Sequence, residues 1–543
     1  MYPFPAMPTS EHISVAGSGS TSAFGHASTA APSSNATDAL PTTSRHHHHH
    51  ESRANWLQLY LGAPGTLLGA SLGLLLAYVL TMDGIKASLK YWDASSDRLA
   101  QKAINQLGVL YLRALTCVVY PQAFVNIVLV AATITAQPSP RLGKAGWRVL
   151  WLSFVTTLLV VGQGVALGVY LLPRFQGSTY YFRRPKALLK CPSPASTFLQ
   201  YINATSHTLH CAPYNGSMEG KLAFYVGDVG RRSIEIDPTV NRFRTLESSS
   251  LPELVQVLLT STSFTNAINV NLVHLVLGAF SLGVATGTYT RATSTKLLDL
   301  LRELVRTFEI MTGWVVAGLP VALMSLIAGP IYMTTHNVFV ASAANDLVRL
   351  TWYVMCFGVV AAVHMVAVLP LFLVLTTRGQ VHPWKFLGAV KEALWYNIGT
   401  SSSRAGQTVL ARNIDRAPGS APCTTSRFAL DVGVTCNKSG GGLYIALSML
   451  WMFSNAGLQV YLTPSKIVLV VVLATLGAYA VVPVRNGGVA IVMCAFAMLT
   501  GLPPPNAMNF LLIAECVLDP LCTALNAWSN AVVTRIVCFL KTS

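Results

Sequence analysis

The sequence predicts an all-α polytopic membrane protein of eight transmembrane helices and two re-entrant helical hairpins, and three observations carry that prediction. The 543 residues are 52% hydrophobic and only 11% charged, against about 25% charged in an ordinary soluble domain, and mean hydropathy is +0.50. That composition excludes a water-soluble enzyme, and it excludes disorder or coiled coil for the body of the chain. Eight apolar runs approach or exceed the length that crosses a bilayer as a helix, which is ~17 to 25 residues. Two further runs are too short or too broken to span alone, each interrupted by Ser, Gly or Pro at its tip. Such backbone survives at membrane depth only where it lines a cavity.

Residues 1–55 are rich in Ser, Thr, Ala, Pro and Gly, with too few large apolar side chains to offset the entropy of ordering them, and read as a disordered cytoplasmic tail. The run His46 to His50 within it resembles an affinity tag but follows natural-looking low-complexity sequence, and no function is assigned to it. The first apolar run lacks a small-residue cleavage signature, so no cleaved signal peptide is expected. Apolar segments fall at about 62–80, 107–134, 147–172, 266–288, 311–333, 352–376, 442–462 and 508–540. The first hairpin is expected at 385–412, broken at Thr400 to Ser403. The second is expected at 465–500, broken around Val482 to Gly488.

The net charge of +16 sits mostly in short connectors, so it reads as a topology signal rather than a nucleic-acid surface. No nucleic-acid motif accompanies it. If spans alternate, Arg141, Lys144, Arg148, Arg291, Lys296, Arg302, Arg378, Lys385, Arg412, Arg416, Arg535 and Lys541 share one side, which is then cytoplasmic, as are both termini. The connector with Lys86, Lys90, Arg98 and Lys102 is a basic exception outside, partly offset by Asp83, Asp93 and Asp97. The loop 173–255 then lies outside, and it carries the glycosylation sequons at Asn203 and Asn215. A sequon at Asn437 falls in a span and is discounted. Ten cysteines without a CxxC pair argue against a zinc or redox site, and no metal or cofactor is expected. Cys191 and Cys211 share the polar outer loop, where a disulfide and two free thiols both stay open.

Val434 to Tyr444 places three consecutive glycines and Lys438 in mid-span. Glycine loosens a helix, and carbonyls freed at an unwound turn can coordinate cations or polar solutes. In the last span, Glu515, Asp519, Thr523, Asn526 and Asn530 are spaced 4, 4, 3 and 4, which makes one helical face polar from end to end. A polar stripe is expensive against lipid, so it faces protein or water. Nothing here resembles a nucleophile with its base and orienter, and an enzyme is not expected.

These features in this order resemble the glutamate and neutral amino acid transporter family, the dicarboxylate/amino acid:cation symporters. The likeness runs from about 62 to 540 and also includes Gly108 to Pro121, Ala131 to Thr135, Arg141 to Gly146 and the serines 401–403. It implies an elevator-type transporter, usually a homotrimer in the lipid bilayer, with the plasma membrane favoured. Residues 56–380 would be mainly scaffold, comprising spans one to six. The transport core, 385–540, would hold the first hairpin, a seventh span at 424–462, the second hairpin and an eighth span at 508–540. In that family the aspartate matching Asp519 binds the substrate's amino group, and residues matching Thr523 and Asn526 contact it as well. Ser402, Ser403, Cys522 and Lys438 complete the expected substrate site. A carboxylate in a dry pocket pairs well with an ammonium, whereas hairpin N–H groups suit an α-carboxylate. The alternative for Asp519 is a structural ion pair with Lys438 or Arg535.

Departures from the family pattern set the finer expectations. Acidic-substrate members carry arginine at the position of Cys522, and a thiol cannot supply its bidentate bonds; neutral amino acids are therefore the expected substrate. Arg485 or Arg404, near the hairpin tips, would restore an acidic amino acid or dicarboxylate clamp. The family's Asn-Met-Asp-Gly-Thr sodium motif reads Asn437-Lys438-Ser439-Gly440-Gly441, and a second sodium-binding aspartate becomes Asn530. Two carboxylates are gone and an ammonium is added, leaving Thr435, Asn437, Ser439, Thr156, Thr157 and Asn530 as remnants of the cation sites. Repulsion of several kcal/mol in a low-dielectric site exceeds what threonine oxygens recover. Lys438 is therefore expected to stand in for a coupling cation, giving sodium-independent or proton-coupled exchange; a structural pairing with Asp431 or Asp519 is the alternative. Readings of another class are a non-transporting amino acid sensor and an ion channel.

Overall fold

The computed structural model describes residues 60, 62–81, 93–177, 197–201, 209–213, 271–293, 295–333, 338–418, 424–483, 486–502, 504–505 and 508–542. The N-terminal tail with its histidine run, Asn203, Asn215, Cys191 and Arg485 lie outside these residues.

Apolar runs become helices close to where the sequence places them: α1 is Ala63–Thr81, α2 Asp93–Thr135, α3 Pro140–Tyr170 and α4 Leu272–Ala292. The fifth run is not one straight span. It is a pair, α5 (Lys296–Ala317) and α6 (Leu319–Met333), bent by 50°, and the bend follows from Gly318 and Pro320 at the junction, since proline supplies no N–H to carry the ladder through. The sixth run starts earlier than expected, as α7 (Val338–Val363), and passes through a π-turn at His364–Val368 into α8 (Leu369–Thr376). Among the described residues, six helices are long and apolar enough to cross a membrane, or seven if the bent pair counts as one.

The segment between α3 and α4 corrects the all-α expectation on a small scale. Strands β1 (Thr197–Tyr201) and β2 (Leu209–Pro213) pair antiparallel with Leu199 opposite Cys211, and Cys211 is disulfide-bonded.

Both interrupted runs fold as helix–turn–helix pairs. In the first, α9 (Pro383–Thr400) begins on a proline and stops where Ser401 turns left-handed at φ 48°, before α10 (Gln407–Arg416). In the second, Thr463 and Pro464 start α13 (Pro464–Ala480), and Asn486 at φ 60° leads into α14 (Gly487–Thr500). Proline pre-sets the first helical φ, and asparagine tolerates the left-handed region better than most residues.

The predicted seventh span is two helices, α11 (Thr424–Cys436) and α12 (Ser439–Asn455), joined through Lys438 at φ −114°, ψ 51°. The last helix, α15 (Met508–Thr542), carries Pro520 in its interior. Helices α4, α5 and α6 pack on α2, and α1 packs on α6, whereas α3, α7 and α9–α15 pack mainly on one another. Thus α3 and α7, early in the chain, sit with the late elements. Gly440 shows how tightly α12 meets α15: a Cβ there would lie 2.6 Å from the Cys522 carbonyl oxygen and 2.7 Å from its Cα. Because backbone cannot yield as a flexible side chain can, Gly440→Ala is expected to destabilise the protein by about 1–3 kcal/mol. Thermal unfolding of the purified variant measures it.

Candidate functional site

The two helix pairs, the α11–α12 break and the middle of α15 close around one cavity of ≈ 560 Å³, counted with its open mouth. Ser401 and Ser403 come from the first turn, and Val482, Pro483, Asn486 and Gly488 from the second. Lys438, Gly441 and Tyr444 come from the broken helix; α15 supplies Glu515, Asp519, Cys522, Thr523 and Asn526. Segments over a hundred residues apart in sequence thus meet because each is a point where a helix stops or turns polar within an apolar bundle.

Of the substrate residues expected from sequence, Asp519, Cys522, Thr523, Asn526, Lys438 and Ser403 line this cavity together. Ser402 does not: its hydroxyl accepts from the Ala405 N–H at 3.3 Å and staples the turn. Arg404 likewise points elsewhere, donating to and forming an ion pair with Glu309 of α5. That pairing counts against Arg404 as a carboxylate clamp. Asp431 accepts from Gln407 rather than meeting Lys438, and the Arg535 guanidinium donates to the Pro418 carbonyl at 3.1 Å.

Several lining groups also hold the backbone. Asn526 Oδ1 accepts from the Gly440 N–H at 2.8 Å, and Cys522 Sγ lies 3.5 Å from the Gly440 carbonyl. Both backbone polar groups of Gly440, at the start of α12, are therefore held by α15. Thr523 turns inward on its own helix, donating to the Asp519 carbonyl at 2.8 Å. Lys438 is only 2% exposed, so its ammonium is a charge held out of water beside the cavity, within electrostatic reach of Asp519 and Arg404.

The residues expected as cation-site remnants divide. Thr156, Thr157, Asn437 and Ser439 gather in one buried cluster behind the break, with Ser439 donating to Asn437 Oδ1 at 3.0 Å and Thr157 Oγ1 3.4 Å from Ser439 Oγ. Asn530 lies apart and donates to the Leu430 carbonyl at 3.3 Å, its Oδ1 filling the space a Cβ on Gly433 would need. Thr435 makes no hydrogen bond to the cluster among the described residues. Sequence reasoning missed Ser529, which joins the cluster by donating to Asn437 Oδ1 at 3.0 Å and lying 3.1 Å from Ser439 Oγ. Its signal was available: position 529 follows Cys522 by seven residues and Asn526 by three, helical spacings that put it beside the face already read as polar. Ser401, Tyr444 and Glu515 line the cavity without having been assigned to it, although Glu515 stands one turn before Asp519.

Apolar helices long enough to span, interrupted helices meeting at a polar cavity, and a buried ammonium beside a carboxylate are the features of a multi-pass membrane transporter built on discontinuous helices. Within that class the chain belongs to the sodium:dicarboxylate symporter family, whose profile matches residues 63–538. It is 25% identical over 439 residues to the mouse (Mus musculus) neutral amino acid transporter B(0), covering 78% of this chain and 72% of that one. The human (Homo sapiens) protein of the same name is 25% identical over 435 residues, covering 78% and 71%. An excitatory amino acid transporter 1 from Ambystoma tigrinum is 23% identical over 436 residues, covering 79% and 76%.

Proposed function

We propose that this chain is a secondary active transporter of neutral amino acids whose coupling does not depend on sodium. The observation that carries the substrate reading is the cavity itself, in which Asp519 stands ready for an α-ammonium and Cys522 occupies the place of a side-chain clamp. A neutral thiol tied to the Gly440 carbonyl leaves the distal carboxylate of glutamate or aspartate without a charge-assisted partner. The relatives named for neutral amino acid transport support the same choice. Lys438 supports the coupling reading, because a buried ammonium repels a dehydrated cation at close range.

In this reading the broken α11–α12 pair counts as one span, giving eight spans, with α9–α10 and α13–α14 as re-entrant hairpins. The transport core is 385–540 together with α3 and α7, which pack on it, and it slides as an elevator against a scaffold of α1, α2 and α4–α6. A homotrimer in the plasma membrane with cytoplasmic termini and glycosylated Asn203 and Asn215 follows from the family resemblance, the connector charges and the sequons. Uptake of radiolabelled neutral amino acids into proteoliposomes, with sodium replaced by choline, tests the reading. Uptake is expected to persist within about twofold, well short of the tenfold that 1.4 kcal/mol represents. A strict sodium requirement overturns the coupling, and uptake of acidic amino acids alone overturns the substrate.

A further inference from the structure

A family named for sodium raises the question of whether this chain's residues fit that ion, and the cluster behind the α11–α12 break answers it. Thr156, Thr157, Asn437, Ser439 and Ser529 bring together five side chains with oxygen atoms, none more than 1% exposed. None of the five is a carboxylate. Their oxygens are also already engaged with one another: Asn437 Oδ1 accepts from both Ser439 and Ser529 at 3.0 Å. Ser529 Oγ lies 3.1 Å from Ser439 Oγ and 3.3 Å from Thr156 Oγ1, its single proton being given to Asn437. Thr156 in turn gives its own proton to the Leu152 carbonyl at 3.0 Å. A hard cation needs several oxygen lone pairs turned toward one point, usually with at least one negative charge among them. Here Asn437 Oδ1 already takes two hydroxyl protons, and the nearest charge along the chain is the ammonium of Lys438. The residues do not fit sodium.

We infer that this cluster permanently replaces a bound cation: its hydrogen bonds, with Ser529 at their centre, hold the α11–α12 break in the substrate-binding geometry without any inorganic ion. The connection to the cavity is short. Ser439 lies between Lys438, which lines the cavity, and Gly440, whose N–H is held by Asn526 and whose carbonyl is held by Cys522. A shift of Ser439 therefore moves a lining side chain and a lining backbone together. Ser439 and Ser529 are positioning residues, and the inference rests on the reading of the chain as an amino acid transporter.

The test uses the purified full-length chain and measures thermal unfolding in sodium chloride and in choline chloride at equal ionic strength, with and without L-alanine, L-serine or L-glutamine. The wild-type unfolding temperature is expected to be the same in both salts, and so is its shift on adding amino acid. Ser529→Ala is expected to raise the KM for uptake about tenfold in either salt with the maximal rate nearly kept, the effect of one buried hydrogen bond. Thr157→Val serves the same purpose if Ser529→Ala fails to fold. The double variant Ser439→Asp with Lys438→Met restores a carboxylate and removes the ammonium, and its unfolding temperature is expected to rise in sodium. Sodium stabilisation of the wild type that Ser529→Ala erases would overturn the inference, as would an unchanged KM. If none of the three amino acids shifts the wild type, the neutral-substrate reading fails by itself, while the sodium arms still decide the role of the cluster.

Discussion

Asp519→Asn is expected to abolish uptake of neutral amino acids, with a loss of about 30-fold to 100-fold or more at unchanged expression and unfolding temperature. The magnitude follows from geometry. Asp519 is half-buried on the cavity wall, one turn from Glu515, where water competes poorly for a substrate ammonium. Truncating one side of a desolvated charge pair costs about 2–5 kcal/mol, and the partial exposure of Asp519 places it toward the lower part of that range. Asparagine keeps the shape and one acceptor oxygen, so packing around α15 is preserved and the loss isolates the charge. Initial uptake rates in proteoliposomes, normalised to reconstituted protein, provide the measurement. Wild-type uptake by the variant would show that the amino group binds elsewhere.

The second large effect is expected at Lys438. Methionine matches the length of its aliphatic stem, so Lys438→Met changes charge far more than volume. The ammonium makes no hydrogen bond or ion pair among the described residues, and it acts on the cavity through its field, with Asp519 within reach. Removing a buried charge from a coupled set shifts the balance of the remaining ones by several kcal/mol, so sodium-free uptake is expected to fall at least about tenfold. Adding sodium to the single variant is not expected to restore the rate, because no carboxylate has been supplied at Ser439. Unchanged sodium-free uptake would assign Lys438 a structural role only.

Much of the fold was legible because bilayer crossing is a strong constraint: a run such as 107–134 has few other stable outcomes. The breaks were legible for the converse reason. Ser401 to Ser403, Pro483 and Asn486 are residues that helix interiors disfavour, and the structure turns left-handed at Ser401 and Asn486. Less legible was anything decided by packing rather than by composition. The bend at Gly318 depends on where α5 and α6 find neighbours, and the π-turn at His364 has no periodic signature in an apolar segment. At the site, the polar face of α15 could be read from spacing, so Asp519, Thr523 and Asn526 were found together. Ser402 and Ser403 could not be told apart that way, since one residue of turn geometry decides which hydroxyl faces the cavity. Ser529 escaped because serine in an apolar helix most often bonds its own backbone, and its partners lie on α3 and at the break.

The ion pair between Arg404 and Glu309 joins the α9–α10 turn to α5, two elements that otherwise pack with different neighbours. Its partners are 40% and 26% exposed, and charge pairs this wet are worth only about 0.2–1 kcal/mol. Any displacement of that turn along α5 must part them, at no greater cost than that. In the sliding motion proposed above, such a pair is a friction catch rather than a bolt, and raising the ionic strength is the gentlest way to make it slip.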